Sequence, residues 1–303
     1  MAKFEIIKKN FSQKQEYWTK YVKLACFFTG SSEFLDSNDN DITMDRYIVR
    51  SRNAVVACFS IIQNAITYTA YDKKGDRIDE ELLEFLVDKW LKLIQHNNKE
   101  NTLKIRLAFP SCCKPQLERR SFKSVYSRIR MTLSLASWFP PHSDINFLNI
   151  MQVSLSDLAL LVDIYLDAYR GTIDEELFAP KGLKKEEESD YLSTFLQNLN
   201  PEFSIIKTAS VVASTKKDNL VGFCFVSLWR NIPFIWELVV SKEYQKKGIG
   251  KYILAHSLLQ LKEAGYQQVA LYVTERNERA QALYQSLGFK ADQCNLVAFE
   301  KSF

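Results

Sequence analysis

Histidine, cysteine and glycine are scarce in this chain of 303 residues, at three, six and nine. His96, His142 and His256 are scattered and form no H-x-x-x-H or H-x-E pattern, so no metal site is expected. Cys26, Cys58, Cys112, Cys113, Cys224 and Cys294 make no C-x-x-C pair, and most sit in apolar, strand-like runs. Reduced thiols in a cytoplasmic protein are the expectation. No apolar run approaches the ~18 residues of a membrane span. Met1 to Glu5 opens without the long apolar stretch of a signal peptide. The net charge of +4 is too small to argue for nucleic acid or a membrane as partner. No G-x-S-x-G appears, which removes one common hydrolase arrangement.

What is present is a globular composition, 47% hydrophobic and 25% charged. The length favours two domains of about 150 residues each. Trp138-Phe139-Pro140-Pro141-His142-Ser143 breaks both helical and strand periodicity and reads as the linker, dividing the chain into 1–143 and 144–303. In the first part, Gln13 to Phe28 reads as a polar helix and Ser31 to Asp45 as a loop. Tyr47–Val49, Val55–Ile62 and Ala65–Tyr71 read as antiparallel strands, Ile78–Gln95 as an amphipathic helix and Leu103–Phe109 as a strand. A short helix at Lys114–Phe122 and one bent strand or a strand pair at Val125–Leu135 follow. In the second part, Ser156–Ala168 and Lys184–Leu199 read as helices around a turn at Tyr169–Asp174. Strands are expected at Ile205–Thr215, Asn219–Trp229, Trp236–Val240, Val269–Val273 and within Ala291–Phe303, and helices at Lys251–Ala264 and Glu278–Leu287.

Gln245-Lys246-Lys247-Gly248-Ile249-Gly250 joins the Trp236–Val240 strand to a helix start. The free N–H groups and dipole of a helix start attract a phosphate. Gly248 and Gly250 let backbone approach it closely, and Lys246 and Lys247 add positive charge. The dinucleotide pattern G-x-G-x-x-G is absent, because no third glycine arrives. The P-loop pattern fails as well, since Tyr252 stands where Ser or Thr would hold a metal.

The two parts repeat one plan. Aligning Phe122 with Phe289 sets Leu103–Leu107 against Ala270–Thr274, and Ile78–Gln95 over Gln245–Lys262. Where the second part has its glycine loop, the first has Ile78-Asp79-Glu80-Glu81-Leu82-Leu83. Three carboxylates and no glycine would cap that helix and repel a phosphate. One phosphate site per chain is therefore expected, in the second part.

The strand, the Q-x-x-G-x-G loop and the helix resemble the central motif of the GNAT superfamily of N-acetyltransferases. Downstream, Asn277-Glu278-Arg279-Ala280-Gln281-Ala282-Leu283-Tyr284-Gln285-Ser286-Leu287-Gly288-Phe289 resembles that family's N-x-x-A-x-x-L-Y-x-x-x-G-F signature. The resemblance covers about residues 146–303. It implies an α/β fold of two tandem GNAT-like domains, each a mostly antiparallel central sheet flanked by helices, the first degenerate and the second catalytic. Tyr169–Asp174 is reminiscent of tandem enzymes similar to mycothiol synthase.

The resemblance also implies acetyl-CoA as acyl donor and transfer to a primary amine in a ternary complex. Gln245, Lys246, Lys247, Gly248, Ile249, Gly250 and Lys251 would surround the pyrophosphate, with Asn277 also touching CoA or capping its helix. Leu238, Val239 and Val240 would lie along the pantetheine arm, with the Val240 N–H facing the thioester carbonyl. Tyr284 would contact CoA and serve as general acid, and Glu237 as general base, with Asp174 and Glu243 as alternatives. Arg276 and Arg279 could reach CoA phosphates. The acceptor is a small-molecule amine or a peptide, of unspecified kind. A CoA-binding sensor without turnover and a transferase of longer acyl groups remain open alternatives.

Overall fold

The computed structural model describes residues 3–9, 25–26, 44–62, 65–74, 77–97, 105–110, 114–142, 145–179, 181–198, 203–217, 219–229, 232–292 and 295–301. The helix expected at Gln13–Phe28 and the loop at Ser31–Asp45 fall outside these, apart from Ala25–Cys26 and the last two loop residues, which are strand. In chain order the strands are β1 (Glu5–Lys9), β2 (Ala25–Cys26), β3 (Met44–Ser51), β4 (Ala54–Ile62), β5 (Ala65–Tyr71), β6 (Lys73–Lys74), β7 (Arg77–Ile78), β8 (Ile105–Pro110) and β9 (Lys123–Ser134). They continue with β10 (Leu148–Gln152), β11 (Phe203–Ile205), β12 (Val211–Thr215), β13 (Leu220–Trp229), β14 (Ile232–Val240), β15 (Gln268–Thr274), β16 (Lys290–Ala291) and β17 (Leu296–Lys301). The helices are α1 (Glu80–Asn97), α2 (Lys114–Arg119), α3 (Leu158–Tyr169), α4 (Ile173–Phe178), α5 (Lys185–Leu196), α6 (Ile249–Glu263) and α7 (Glu278–Ser286).

The chain forms two compact units, one of residues 1–127 with 294–303, the other of 128–293. This differs from the division expected at 143/144. Periodicity marks where elements break, but not which sheet a strand joins. β9 is one strand rather than a pair, and from Arg128 it belongs to the second unit, whereas β17 belongs to the first.

In the first unit β1, β3, β4 and β5 form an antiparallel ladder. α1 then crosses over, and β8 meets β5 in parallel at Ala65↔Arg106. β17 closes the sheet antiparallel to β8, from Leu296↔Pro110 to Lys301↔Ile105. The apolar stripe of α1 (Leu82, Leu83, Leu86, Val87 and Trp90) is buried with Tyr47, Phe59 and Phe299. Trp90 sets its edge against Phe59 with centroids 5.5 Å apart. The Asp79 Oδ1 accepts from the N–H groups of Glu81 at 3.0 Å and Leu82 at 3.2 Å. A side-chain carboxylate thus occupies this helix start.

The second unit repeats the order. β10, β12, β13 and β14 are antiparallel, α6 crosses over, and β15 runs parallel to β14. β9 closes it antiparallel to β15, from Arg128↔Thr274 to Ser134↔Gln268. The stretch read as one strand at Ile205–Thr215 is two, because Lys207–Ala209 turns, and β11 pairs with β13 instead. Ile253, Leu254, Leu258 and Leu261 of α6 pack with Val221, Cys224, Val226 and Ile235 of the sheet.

Two irregularities interrupt the sheet of the second unit. β14 and β15 are paired only at Phe234↔Ala270 and Ile235↔Leu271, although both strands run on, to Val240 and Thr274. They therefore part. Between β13 and β14 the register steps from Val226↔Ile235 to Phe225↔Glu237, so Trp236 is an extra residue and β14 bulges immediately before Glu237.

Phe299 is fully buried in the core of the first unit despite its place at the far end of the chain. Phe299→Ala is expected to destabilise that unit by about 3–5 kcal/mol. Amide exchange should accelerate in β4 and β8 while β13 and β14 keep their protection. Loss confined to the second unit would contradict the assignment of β17.

Candidate active site

The glycine loop follows directly on the end of β14. A 3₁₀ turn at Lys242–Tyr244, whose Lys242 N–H donates to Asp167 at 2.7 Å, leads into it. Lys246 has φ +62° and Gly248 φ +77°, so left-handed residues alternate with ordinary ones. Such alternation turns successive N–H groups toward a shared concavity. α6 begins at Ile249, and its first bond is from Tyr252 N to Gly248 O at 3.0 Å. The N–H groups ahead of it have no partner within the helix. A Cβ on Gly250 would lie 3.2 Å from Leu283 Cδ1 and 3.6 Å from Val240 Cγ2, so a side chain there would crowd α7 and β14. Gln245 braces the loop: its Nε2 donates to Val240 O at 2.7 Å and its Oε1 accepts from Arg279 at 2.7 Å. Lys246 and Lys247 are exposed; Lys251 is half-buried.

Val240 faces the gap between β14 and β15. Ser241 N donates to Val221 O at 2.9 Å, and Gly222 is paired with Val240. In an antiparallel ladder this makes Gly222 and Val240 the non-hydrogen-bonded pair, so the Val240 N–H turns away from β13. Gly222 is required there, because a Cβ would fall 2.5 Å from Val239 O. Val239 is buried and Leu238 half-buried.

Glu237 is 8% exposed and holds two tyrosine hydroxyls. Its Oε2 accepts from Tyr169 of α3 at 2.8 Å and its Oε1 from Tyr191 of α5 at 2.8 Å. Burial pushes its carboxyl up to about 7, against the pull of the two tyrosine bonds and Arg128, while Asp174 pushes the same way as burial. Tyr165 stacks on Tyr169 with centroids 4.3 Å apart. Burial first, and then Glu237, raise Tyr165 and Tyr169 well above the ordinary phenol range.

A second network ties three elements together. Asp174, in the first turn of α4, accepts from Thr274 Oγ1 at 2.5 Å and from Asn277 Nδ2 at 2.9 Å. Asn277 Oδ1 caps α7 by accepting from Ala280 N at 3.1 Å. Thr172 Oγ1 caps α4 by accepting from Glu175 N at 3.2 Å, and Glu175 Oε2 accepts from Gly171 N at 2.6 Å. Tyr284 lies on α7 with its edge toward Phe289 at 5.9 Å. Its phenol is raised by burial first, then by Cys224, Glu237 and Asp174.

The structure thus brings Glu237, Tyr284 and Asp174 within electrostatic reach of one another, and sets the loop at the end of the strand that carries Glu237. Asn277 does not present a free amide, since both ends of its side chain are used. Arg279 is bonded to Gln245, and the exposed Arg276 is 3.9 Å from Glu176. Glu243 is exposed on the 3₁₀ turn, apart from the tyrosine pair. The tyrosine shell is what sequence reasoning missed, since aromatic residues at helical spacing read as core. The available signal was Tyr165 and Tyr169, two polar tips one turn apart on α3.

Residues 164–289 match the model described as "Acetyltransferase (GNAT) family". Among curated relatives, "[Ribosomal protein bS18]-alanine N-acetyltransferase" of Escherichia coli (strain K12) is 29% identical over 75 residues, 25% of this chain and 51% of that protein. The protein of the same description from Salmonella typhimurium is also 29% identical over 75 residues. The chain spans about half the length of the curated relatives it matches. In fold, a GCN5-related N-acetyltransferase from Sphaerobacter thermophilus matches with a TM-score of 0.68 at 13% identity, over 100% of this chain and 96% of that one. A tandem GNAT protein from the clavulanic acid biosynthesis pathway matches with a TM-score of 0.68 at 14% identity, over 99% and 98%.

The pH dependence of stability follows from Glu237. Its folded-state value of about 7 lies above the ordinary 4.5, so between them the native state keeps a proton the unfolded chain has released. Its contribution is complete below the ordinary value and is lost as pH rises through the folded one, on the order of 3 kcal/mol. Tyr165, Tyr169 and Tyr284 are raised away from this window. Urea denaturation should therefore show Glu237→Gln gaining on the parent by that amount from acid to mildly alkaline pH. Parallel profiles would remove the assignment.

Proposed function

We propose, from the match of residues 164–289 to the GNAT acetyltransferase family, that this chain is an acetyl-CoA-dependent N-acetyltransferase. The acetyl group passes to a primary amine by direct attack, with donor and acceptor bound together. The observation that carries the reading is the parting of β14 from β15 beyond Ile235 and Leu271, immediately ahead of the glycine loop. A strand-like pantetheine arm fits beside an unpaired strand edge. Gly250, where a side chain would crowd Leu283 and Val240, supports a cradle for a close-lying pyrophosphate. N–H groups from Lys246 to Gly250 would hold it, with Lys246, Lys247 and Lys251 adding charge.

Acetyl-CoA supplies the thioester. The Val240 N–H, turned toward the gap, serves as donor to the oxyanion that develops on the carbonyl. Glu237 takes the ammonium proton. With its value near 7, a large share is ionised at neutral pH while proton affinity is still appreciable. Tyr284, kept protonated by its surroundings, donates to the departing thiolate. Asn277 acts on α7 as a cap and through Asp174 rather than on the donor. The acceptor is a small-molecule amine or a peptide. A peptide N-terminal amine belongs in the test panel, given what the curated relatives are described as acting on.

The first unit lacks this cradle because Asp79 fills the corresponding helix start. Among the described residues this leaves one helix start suited to acyl-CoA, that of α6.

Thiol release from acetyl-CoA across an amine panel tests the reading. Tyr284→Phe is expected to lower kcat by about 10²–10⁴-fold. Full activity in that variant would overturn the acid assignment, and acetyl-CoA binding without turnover on any amine would favour a sensor. Gly250→Asp, which puts a carboxylate into the first turn of α6, should weaken acetyl-CoA binding by about tenfold or more in calorimetry. Unchanged affinity would move the phosphate elsewhere.

A further inference from the structure

The two tyrosines on Glu237 are not equivalent, although each donates one 2.8 Å hydrogen bond to it. The Tyr191 bond is buried and Tyr191 is 6% exposed, whereas the Tyr169 bond is only partly buried. Glu237 itself is 8% exposed, with a hydroxyl on each oxygen. A base so enclosed needs a group between it and the acceptor, because proton transfer requires hydrogen-bond reach. Tyr169 is the last residue of α3, where the chain turns into α4. Asp174 of α4 is tied in turn to Thr274 and Asn277, at the start of the helix that carries Tyr284. Tyr169 is therefore the less buried of the two phenols on the enclosed carboxylate, at the turn into the element that is tied to the helix carrying Tyr284.

We infer that Tyr169 relays the proton of the acceptor ammonium to Glu237, the two together forming the base. The inference rests on the reading of the chain as an amine acetyltransferase. In the step, the ammonium N–H bond breaks and its proton forms a new O–H bond on Tyr169 Oη. The O–H bond that Tyr169 already has breaks, and that proton passes to Glu237 Oε2. The amine keeps the electron pair for attack. Tyr169 is a neutral phenol before and after, and the carboxylate becomes the acid. Burial and Glu237 hold the Tyr169 phenol well above its ordinary range, so the two protons move together and no free tyrosinate forms. Tyr165, stacked with an interplanar angle of 21°, fixes the Tyr169 ring. Tyr191 has a different part: it positions the carboxylate from behind. The charged and titratable groups around Glu237 are Tyr165 and Tyr169 of α3, Asp174 of α4, Tyr191 of α5, Tyr284 of α7, Arg128 of β9 and Cys224 of β13.

Tyr169→Phe and Tyr191→Phe provide the test in the full chain. Each removes one hydrogen bond from the same carboxylate, so both should raise the Glu237 titration followed by its infrared carboxylate band. That shared shift also reports that each variant is folded. Single-turnover rates with acetyl-CoA and the best amine of the panel should then separate them. On the high-pH plateau Tyr169→Phe is expected to fall at least about tenfold below Tyr191→Phe. In mixtures of light and heavy water the wild type and Tyr191→Phe should give curved rate plots, from two protons in flight, and Tyr169→Phe a straight one. Equal plateaus with the same curvature would overturn the relay and leave acetyl transfer standing. A wild-type chain that turns over no amine would overturn the parent reading and the relay with it.

Discussion

A carboxylate set inside a sheet must either find donors or surrender its charge. Glu237 does some of each: two phenols hold it, and burial still raises it to about 7. Much of the second unit is arranged around that compromise. The bulge at Trp236 sets the register of the strand just ahead of it. α3 and α5 each send one tyrosine to it. α4 then links the α3 end to α7 through Asp174. A sheet without the bulge would present a different face of β14, and a core without the tyrosines would leave a buried charge unmatched.

The two units share one architecture and differ at a single helix start. In both, strands run antiparallel to a crossover helix and then parallel beyond it. At α6 the first N–H groups are left open by glycine and left-handed backbone. At α1 they are met by Asp79. The hydrogen-bonding requirement is the same at both starts; α1 meets it with its own side chain, and under the proposed function an anion meets it at α6.

Much of this was legible in the sequence, for identifiable reasons. The glycine loop and the Asn277–Phe289 signature lie within short stretches, where backbone demands fix residue type. The carboxylates at Asp79–Glu81 announced a capped helix in the same way. The tyrosine shell was hidden because Tyr169, Tyr191 and Glu237 converge from separate helices and a strand, and nothing local distinguishes such a tyrosine from a core residue. Lys246 in the left-handed region was equally unreadable, since its conformation is imposed by the loop around it. From its sequence Asn277 suits either a cap or a CoA contact; in the structure it caps α7 and bonds to Asp174. The assignment of β9 and β17 to their units was out of reach for a simpler reason: alternation tells which face of a strand is buried, not against which neighbour it lies.

That assignment has a consequence for how the chain comes off the ribosome. The first unit is most of the N-terminal half, yet Ile105 waits for Lys301 and Pro110 for Leu296 before its sheet is closed. Until Leu296–Lys301 has been made, β8 lacks this neighbour and presents an open edge, the kind of edge that recruits other chains. Domain-by-domain folding during synthesis, the common route for long chains, would leave the first unit without this strand until β17 is made. Closure across so much intervening sequence also makes for slow folding. The β8 edge is therefore open for as long as the chain between Pro110 and Leu296 is being made.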